Sequence, residues 1–204
     1  MLILDYDELH ARLLATRALQ GQLADEWTWD EKTLAQWDTS KTKLEGAKEV
    51  LDGEEALEAL ALGALDKAST ALHEATKQAL GLAKVRFRNT PETLKAFTGL
   101  QAKKTSLAAI KQSADDFAAA WLKADSAGSY AGVSLTDYNG VRTALTSAES
   151  ARSAAKAATK QAKAQFASEK RSVHDDLVAW YAAATRVFPV GTETGALLRA
   201  QIPT

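Results

Sequence analysis

Two stretches of this chain place small residues at the spacing of one helix face, which leaves little besides a bundle of long helices. In residues 56–82 alanines fall at Ala61, Ala64, Ala68, Ala71, Ala75 and Ala79. In residues 141–166 they fall at Ala144, Ala148, Ala151, Ala155, Ala158 and Ala162. Steps of three and four keep side chains on one side of an α-helix. Alanine loses no side-chain entropy there and has the best intrinsic helix propensity. The 204 residues include 42 alanines and only three prolines. No segment alternates apolar and polar residues long enough to make a convincing strand. The expected fold is all-α, an elongated antiparallel bundle of long helices.

The two runs also superpose on each other. Ala75-Thr76-Lys77-Gln78-Ala79 answers to Ala158-Thr159-Lys160-Gln161-Ala162, and Leu94-Lys95-Ala96-Phe97 to Leu177-Val178-Ala179-Trp180, both at an offset of 83. Trp37 answers to Trp121 at 84. This register implies a duplicated αα-hairpin. Residues 1–89 form the first hairpin, 90–188 the second with a terminal helical segment, and 189–204 an extended tail, all within one structural domain.

Local signals divide the chain further. Asp5 is placed to cap a first helix, with Asp7 and Glu8 in its first turn, reaching about Leu51 with room for a kink in Asp25–Trp37. Asp52-Gly53-Glu54-Glu55 reads as a restart through a capping box. Thr90-Pro91 opens a third helix, since proline at the first position gives up no hydrogen bond; that helix runs to about Lys123. Gly128 and Gly132 mark Ala127–Val133 as a loop, and Ser134 caps a last helix reaching Val187. Alanine along the seam predicts that Ala68→Leu and Ala151→Leu both overpack a close helix contact.

The net charge of −1 hides an asymmetry. Residues 1–82 carry 8 Lys+Arg against 16 Asp+Glu, and residues 83–204 carry 17 against 10. Two readings stay open: the halves neutralise each other within a molecule, or subunits meet head to tail.

The chemistry of a catalyst is not visible. There is no cysteine, hence no disulfide and no thiolate. His10, His73 and His174 form no Glu-x-x-His pair, so no metal or cofactor is expected. Neither a Gly-x-Ser-x-Gly elbow nor a phosphate-binding glycine loop occurs, and no small-molecule substrate is inferred. No run of apolar residues reaches membrane-spanning length, and the first residues lack a basic leader region. A cytoplasmic, non-enzymatic protein is the expectation. Arg152, Lys156, Lys160 and Lys163 form a basic stripe on a helix; with Phe166 the one aromatic nearby, nucleic acid is disfavoured and a solvated or protein-binding face preferred. Trp27 and Trp29 stand two apart, so on one helix they point about 200° from each other and one becomes a contact anchor; with a kink in the helix there, both stay within the molecule, and the two readings are open.

The last segment, Phe188-Pro189-Val190-Gly191-Thr192-Glu193-Thr194-Gly195-Ala196-Leu197-Leu198-Arg199 through Ile202-Pro203-Thr204, resembles the endings of a loose group of uncharacterised bacterial helical proteins. The resemblance covers about 17 residues. It departs at Ala196, where the group tends to carry a charge. It implies a bacterial origin and a tail that matters, and no activity. Phe188, Leu197, Leu198 and Ile202 are the apolar side chains expected to dock, on the chain's own bundle or on a neighbour.

The function expected is therefore structural: helical bundles that self-associate as a homo-oligomer into a filament, sheet or similar assembly. The alternatives are an amphipathic coat on a granule or membrane surface, as in phasins, and an adaptor binding a partner helix.

Overall fold

The computed structural model describes residues 5–125, 129–130, 133–189 and 191–201. It is an all-α helical bundle. The helices are α1 (Tyr6–Gln22), α2 (Leu34–Arg86), α3 (Pro91–Thr98), α4 (Leu107–Ala124), α5 (Leu135–Val187) and α6 (Glu193–Gln201). Inside the expected loop, β1 (Ser129–Tyr130) pairs antiparallel with β2 (Val133–Ser134). This two-residue ladder is the only sheet among the described residues. Gly128 and Gly132, expected to shape that loop, lie outside the described residues.

Helix starts follow the local signals. The Asp5 carboxylate accepts from the Glu8 N–H at 2.8 Å, and Ser106 Oγ from the Ala109 N–H at 3.1 Å. Thr33 and Gln36 exchange backbone and side-chain hydrogen bonds, closing a capping box at the start of α2. Ser134 and Asp137 do the same for α5. At α3 Pro91 occupies the first turn, but the Thr90 hydroxyl makes no capping bond.

Three boundaries differ from the sequence reading. The first helix stops at Gln22, and residues 23–33 are non-helical rather than kinked helix. The Asp52-Gly53 restart does not occur: α2 runs unbroken for 53 residues. Six of its buried residues fall on a seven-residue step, Trp37, Leu44, Leu51, Leu65, Leu72 and Ala79. Glu58 is half-buried at the missing step. That repeat carries the helix through a sequence that would cap a free end. Between Pro91 and Lys123 one expected helix is two, because Gly99 ends α3 and Ser106 starts α4.

The chain forms two compact units. One comprises Met1–Glu55 and Ala158–Thr204; the other is Ala56–Ala157. The first draws on both ends of the chain, and the second is the continuous middle. In the first unit Leu9, Leu13, Trp37 and Leu44 bury against Val173, Trp180 and Leu198. In the second, Leu72, Phe97, Phe117, Trp121, Tyr138 and Leu145 form the core.

The elements recur at an offset of 101, not 83. Leu107 follows Tyr6 by 101 residues and Leu135 follows Leu34 by 101, and α2 and α5 each have 53 residues. The same offset relates the cap residues Asp5 and Ser106, and Thr33 and Ser134. It also relates buried residues: Trp37 and Tyr138, Leu44 and Leu145, His73 and His174, Ala83 and Ala184, Phe97 and Leu198. Helix α6 answers to α3. Where an extended tail was expected, Glu193–Gln201 is helical, with the Thr192 hydroxyl accepting from the Gly195 N–H at 2.9 Å.

Candidate interaction surface

The polar groups of each core are directed inward, and they fix helices. In the first unit Trp37 Nε1 donates to Gln20 Oε1 at 2.7 Å, and Gln20 Nε2 donates to the Lys32 carbonyl at 2.7 Å. Lys32 is buried, lies 4.4 Å from the Trp37 ring centre and pairs with Asp176. Stacking a cation on indole beside a carboxylate offsets its lost hydration. In the second unit Thr76 Oγ1 and the Tyr138 hydroxyl share a bond of 2.7 Å. Burial pushes the Tyr138 phenol up to about 12, although the Thr76 bond acts the other way.

Two of the three histidines have hydrogen-bond partners. His10 bonds Glu45 at 2.7 Å, and His73 Nδ1 lies 3.2 Å from the Lys103 carbonyl. No cluster of three or more His, Asp or Glu side chains suited to a metal occurs among the described residues. Clefts open on the second unit among the described residues. One, of about 470 Å³, has Lys111, Asp115, Asn139 and Arg142 on its walls. Its cations are already paired, Lys111 with Glu149 at 2.6 Å and Arg142 with Asp115.

The residues singled out as an interface have separate fates. Trp29 is buried and stacks on Trp37 with centroids 6.1 Å apart. Trp27 packs edge-on against Phe188 at 6.0 Å and lies 5.9 Å from Trp180. Both tryptophans therefore serve the first unit's core; the helical geometry assumed for them fails because their segment is not helical. Phe188 and Leu198 are buried in that same core, so the terminal segment docks at home. Leu197 is half exposed, and Ile202 lies outside the described residues. On α5 Lys156 and Lys160 are exposed and Arg152 is half-buried. Lys163 reaches Glu55 within the first unit at 2.9 Å. Part of the acidic–basic asymmetry is thus neutralised inside the molecule.

A surface that the sequence reading passed over lies in the second unit. From Ala56 to Ala64 on α2, and across residues 146–157 of α5, no residue is buried. Leu57 is 54 % exposed, Leu60 71 % and Leu62 42 %. Leu57, Leu60 and Ala64 stand at i, i+3 and i+7, one face of α2. Leu62 turns away, toward a depression it lines with Asp66 and Arg152. Exposed alanines continue the small-residue character on α5 at Ala151 and Ala154. The available signal was the seven-residue step: Leu57, Leu60 and Leu62 all fall off it, while Leu51 and Leu65 fall on it.

Among the described residues no helix is long and apolar enough to cross a membrane. No family model matches this chain, and neither a curated protein nor a solved structure matches it.

Proposed function

We propose that this chain is a non-enzymatic structural protein whose helical units self-associate into a regular assembly. The observation that carries the reading is the bare stretch of the second unit, where Leu57 and Leu60 share an exposed face of α2. Two leucines this exposed on one face, beside exposed alanines, are what a helix shows when a further helix is due against it. The recurrence at 101 supports a second part of the reading, that the chain arose as two tandem copies of one helical element set. Gln20 and Trp37 in the first core, and Thr76 and Tyr138 in the second, are bonded into the helix packing, which favours a scaffold over a reaction site.

The coat reading is less well supported. A lipid or polymer surface takes a long, continuous apolar face, whereas the Leu57–Leu60 face is one leucine pair wide and meets Glu58 and Lys67 in sequence.

Size-exclusion chromatography with light scattering over a concentration series, followed by negative-stain microscopy, tests the proposal. The expected result is a concentration-dependent species larger than the monomer. Leu57→Asp with Leu60→Asp should disperse it at an unchanged melting temperature, because neither side chain supports the core. A chain that remains monomeric at every concentration removes the reading.

A further inference from the structure

Neither compact unit is built from one half of the chain. The first unit takes α1 and the start of α2 from the N-terminal half, and the end of α5 with α6 from the C-terminal half. The second takes the rest of α2 with α3 from the N-terminal half, and α4 with the start of α5 from the C-terminal half. Under the offset of 101, α1 answers to α4, α2 to α5 and α3 to α6. Each unit is therefore the leading part of one copy closed by the trailing part of the other. That is the arrangement of two identical subunits that have exchanged halves, here joined into one chain.

The join is short. It runs from Gly99 to Ser106, between the end of α3 and the start of α4. Both of those helices belong to the second unit, where Phe97 meets Phe117 with centroids 5.9 Å apart. Within the join, the Lys103 carbonyl meets His73, Lys103 N–H donates to Ser113 Oγ at 3.4 Å, and Lys84 Nζ donates to the Leu100 carbonyl at 3.4 Å. The cross-half packing away from the join, Trp37 in one core with Trp180 and Leu72 in one core with Tyr138 and Leu145, links residues far apart in sequence. Those contacts are the same whether the two halves come from one chain or two.

We infer that the N-terminal half of this chain is a complete partner for the C-terminal half of a second copy, and that the 99–106 join alone keeps the pairing within one molecule. A chain reversal needs residues to make the turn. With too few, α3 must run on toward α4, and the C-terminal half is delivered to another molecule. Loop closure over a few residues otherwise favours the intramolecular form, because the tethered partner is always at high local concentration. This inference concerns the pairing of halves and stands apart from any assembly through Leu57 and Leu60.

The test is deletion of Gln101–Lys104 in the full chain, read by light scattering, circular dichroism and thermal melting. The expected product is an exchanged dimer or a longer open chain with wild-type helix content. Its melting temperature should be near that of the wild type, since only the join has changed. Carrying Leu57→Asp and Leu60→Asp in the same deletion variant should not return it to monomer, which separates exchange from surface association. A second variant, with eight Gly/Ser residues inserted after Lys103, should stay monomeric at the same protein concentration. A deletion variant that is a well-folded monomer overturns the inference. So does an unfolded deletion variant, provided wild-type chains bearing two different tags, unfolded and refolded together at high concentration, yield no mixed species.

Discussion

Burial at single positions decides which substitutions this fold notices. Ala79 is 1 % exposed in the second unit's core, whereas Ala151 is open to solvent. Ala79→Leu adds volume inside the second unit's packed core, and should cost about 1–3 kcal/mol. Ala151→Leu should change stability by no more than about 0.5 kcal/mol. Urea melts of the two variants check the difference, and equal losses would put Ala151 in a contact. The three-and-four spacing alone places both Ala68 and Ala151 at seams. Ala68 is partly buried against the second core, but Ala151 lies off the buried step. Tyr138 contributes to the pH dependence in the alkaline range. Its folded pKa is raised from 10.0 to about 12 by burial, so above pH 10 the unfolded chain loses its phenolic proton first. The unfolded state then binds fewer protons, and stability falls as pH climbs from 10 toward 12, having been intact below that window. Tyr138→Phe removes this titration together with the Thr76 bond. Stability of the variant should be lower at neutral pH and decline less steeply across the alkaline window. Parallel slopes for the two proteins in chemical melts from pH 9 to 12 would disprove the assignment.

Helices here begin where a few neighbouring residues say so and end where distant packing allows. Asp5, Pro91 and Ser134 were legible as starts because a cap is a bond between residues three apart. Asp52-Gly53 carried the same local signal, yet Leu51 and Leu65 keep α2 continuous by burying on either side of it. A cap motif cannot report that its helix is already held. The terminal segment was legible as apolar but not as α6, whose path depends on close backbone approach. A Cβ on Gly195 would strike the Pro189 carbonyl and the Thr192 hydroxyl and crowd the Phe188 carbonyl. Gly191 turns the chain at φ 104°, a conformation that few other residues hold without strain. Gly195→Ala should therefore lower the melting temperature although it adds one methyl group to a helix. Leu198→Ala, at a fully buried site, should cost about 2–5 kcal/mol. Leu197→Ala, half exposed, should cost well under half of that. Thermal melts in which Leu197→Ala is the more damaging change would mean that α6 is turned the other way.

The molecule as a whole was legible as helical, and its elements recur at 101 rather than at the offset that the alanine runs suggest. Alanine-rich helices align with one another at many offsets, because every shift that preserves the three-and-four step matches small residues to small residues. The 101 register is carried by different residues, the caps Asp5 and Ser106 and the pairs Trp37 and Tyr138 and His73 and His174, which are too sparse to dominate a comparison of sequence alone. The division of the chain into two units has a consequence in time. Ala56–Ala157 is one uninterrupted stretch, so every contact of the second unit can close while it is the only part of the chain that has collapsed. The first unit must bring Leu9 and Trp37 to Trp180 and Leu198, a loop search across most of the polypeptide. Once the middle has folded, that search shortens, because α2 and α5 then leave it as stems already started. The order of events should be middle first, ends second. In pulse-labelled hydrogen exchange during refolding, amides of Ile110–Trp121 should gain protection before those of Leu9–Leu19, and on a ribosome the molecule would stay half-finished until its last helix emerged.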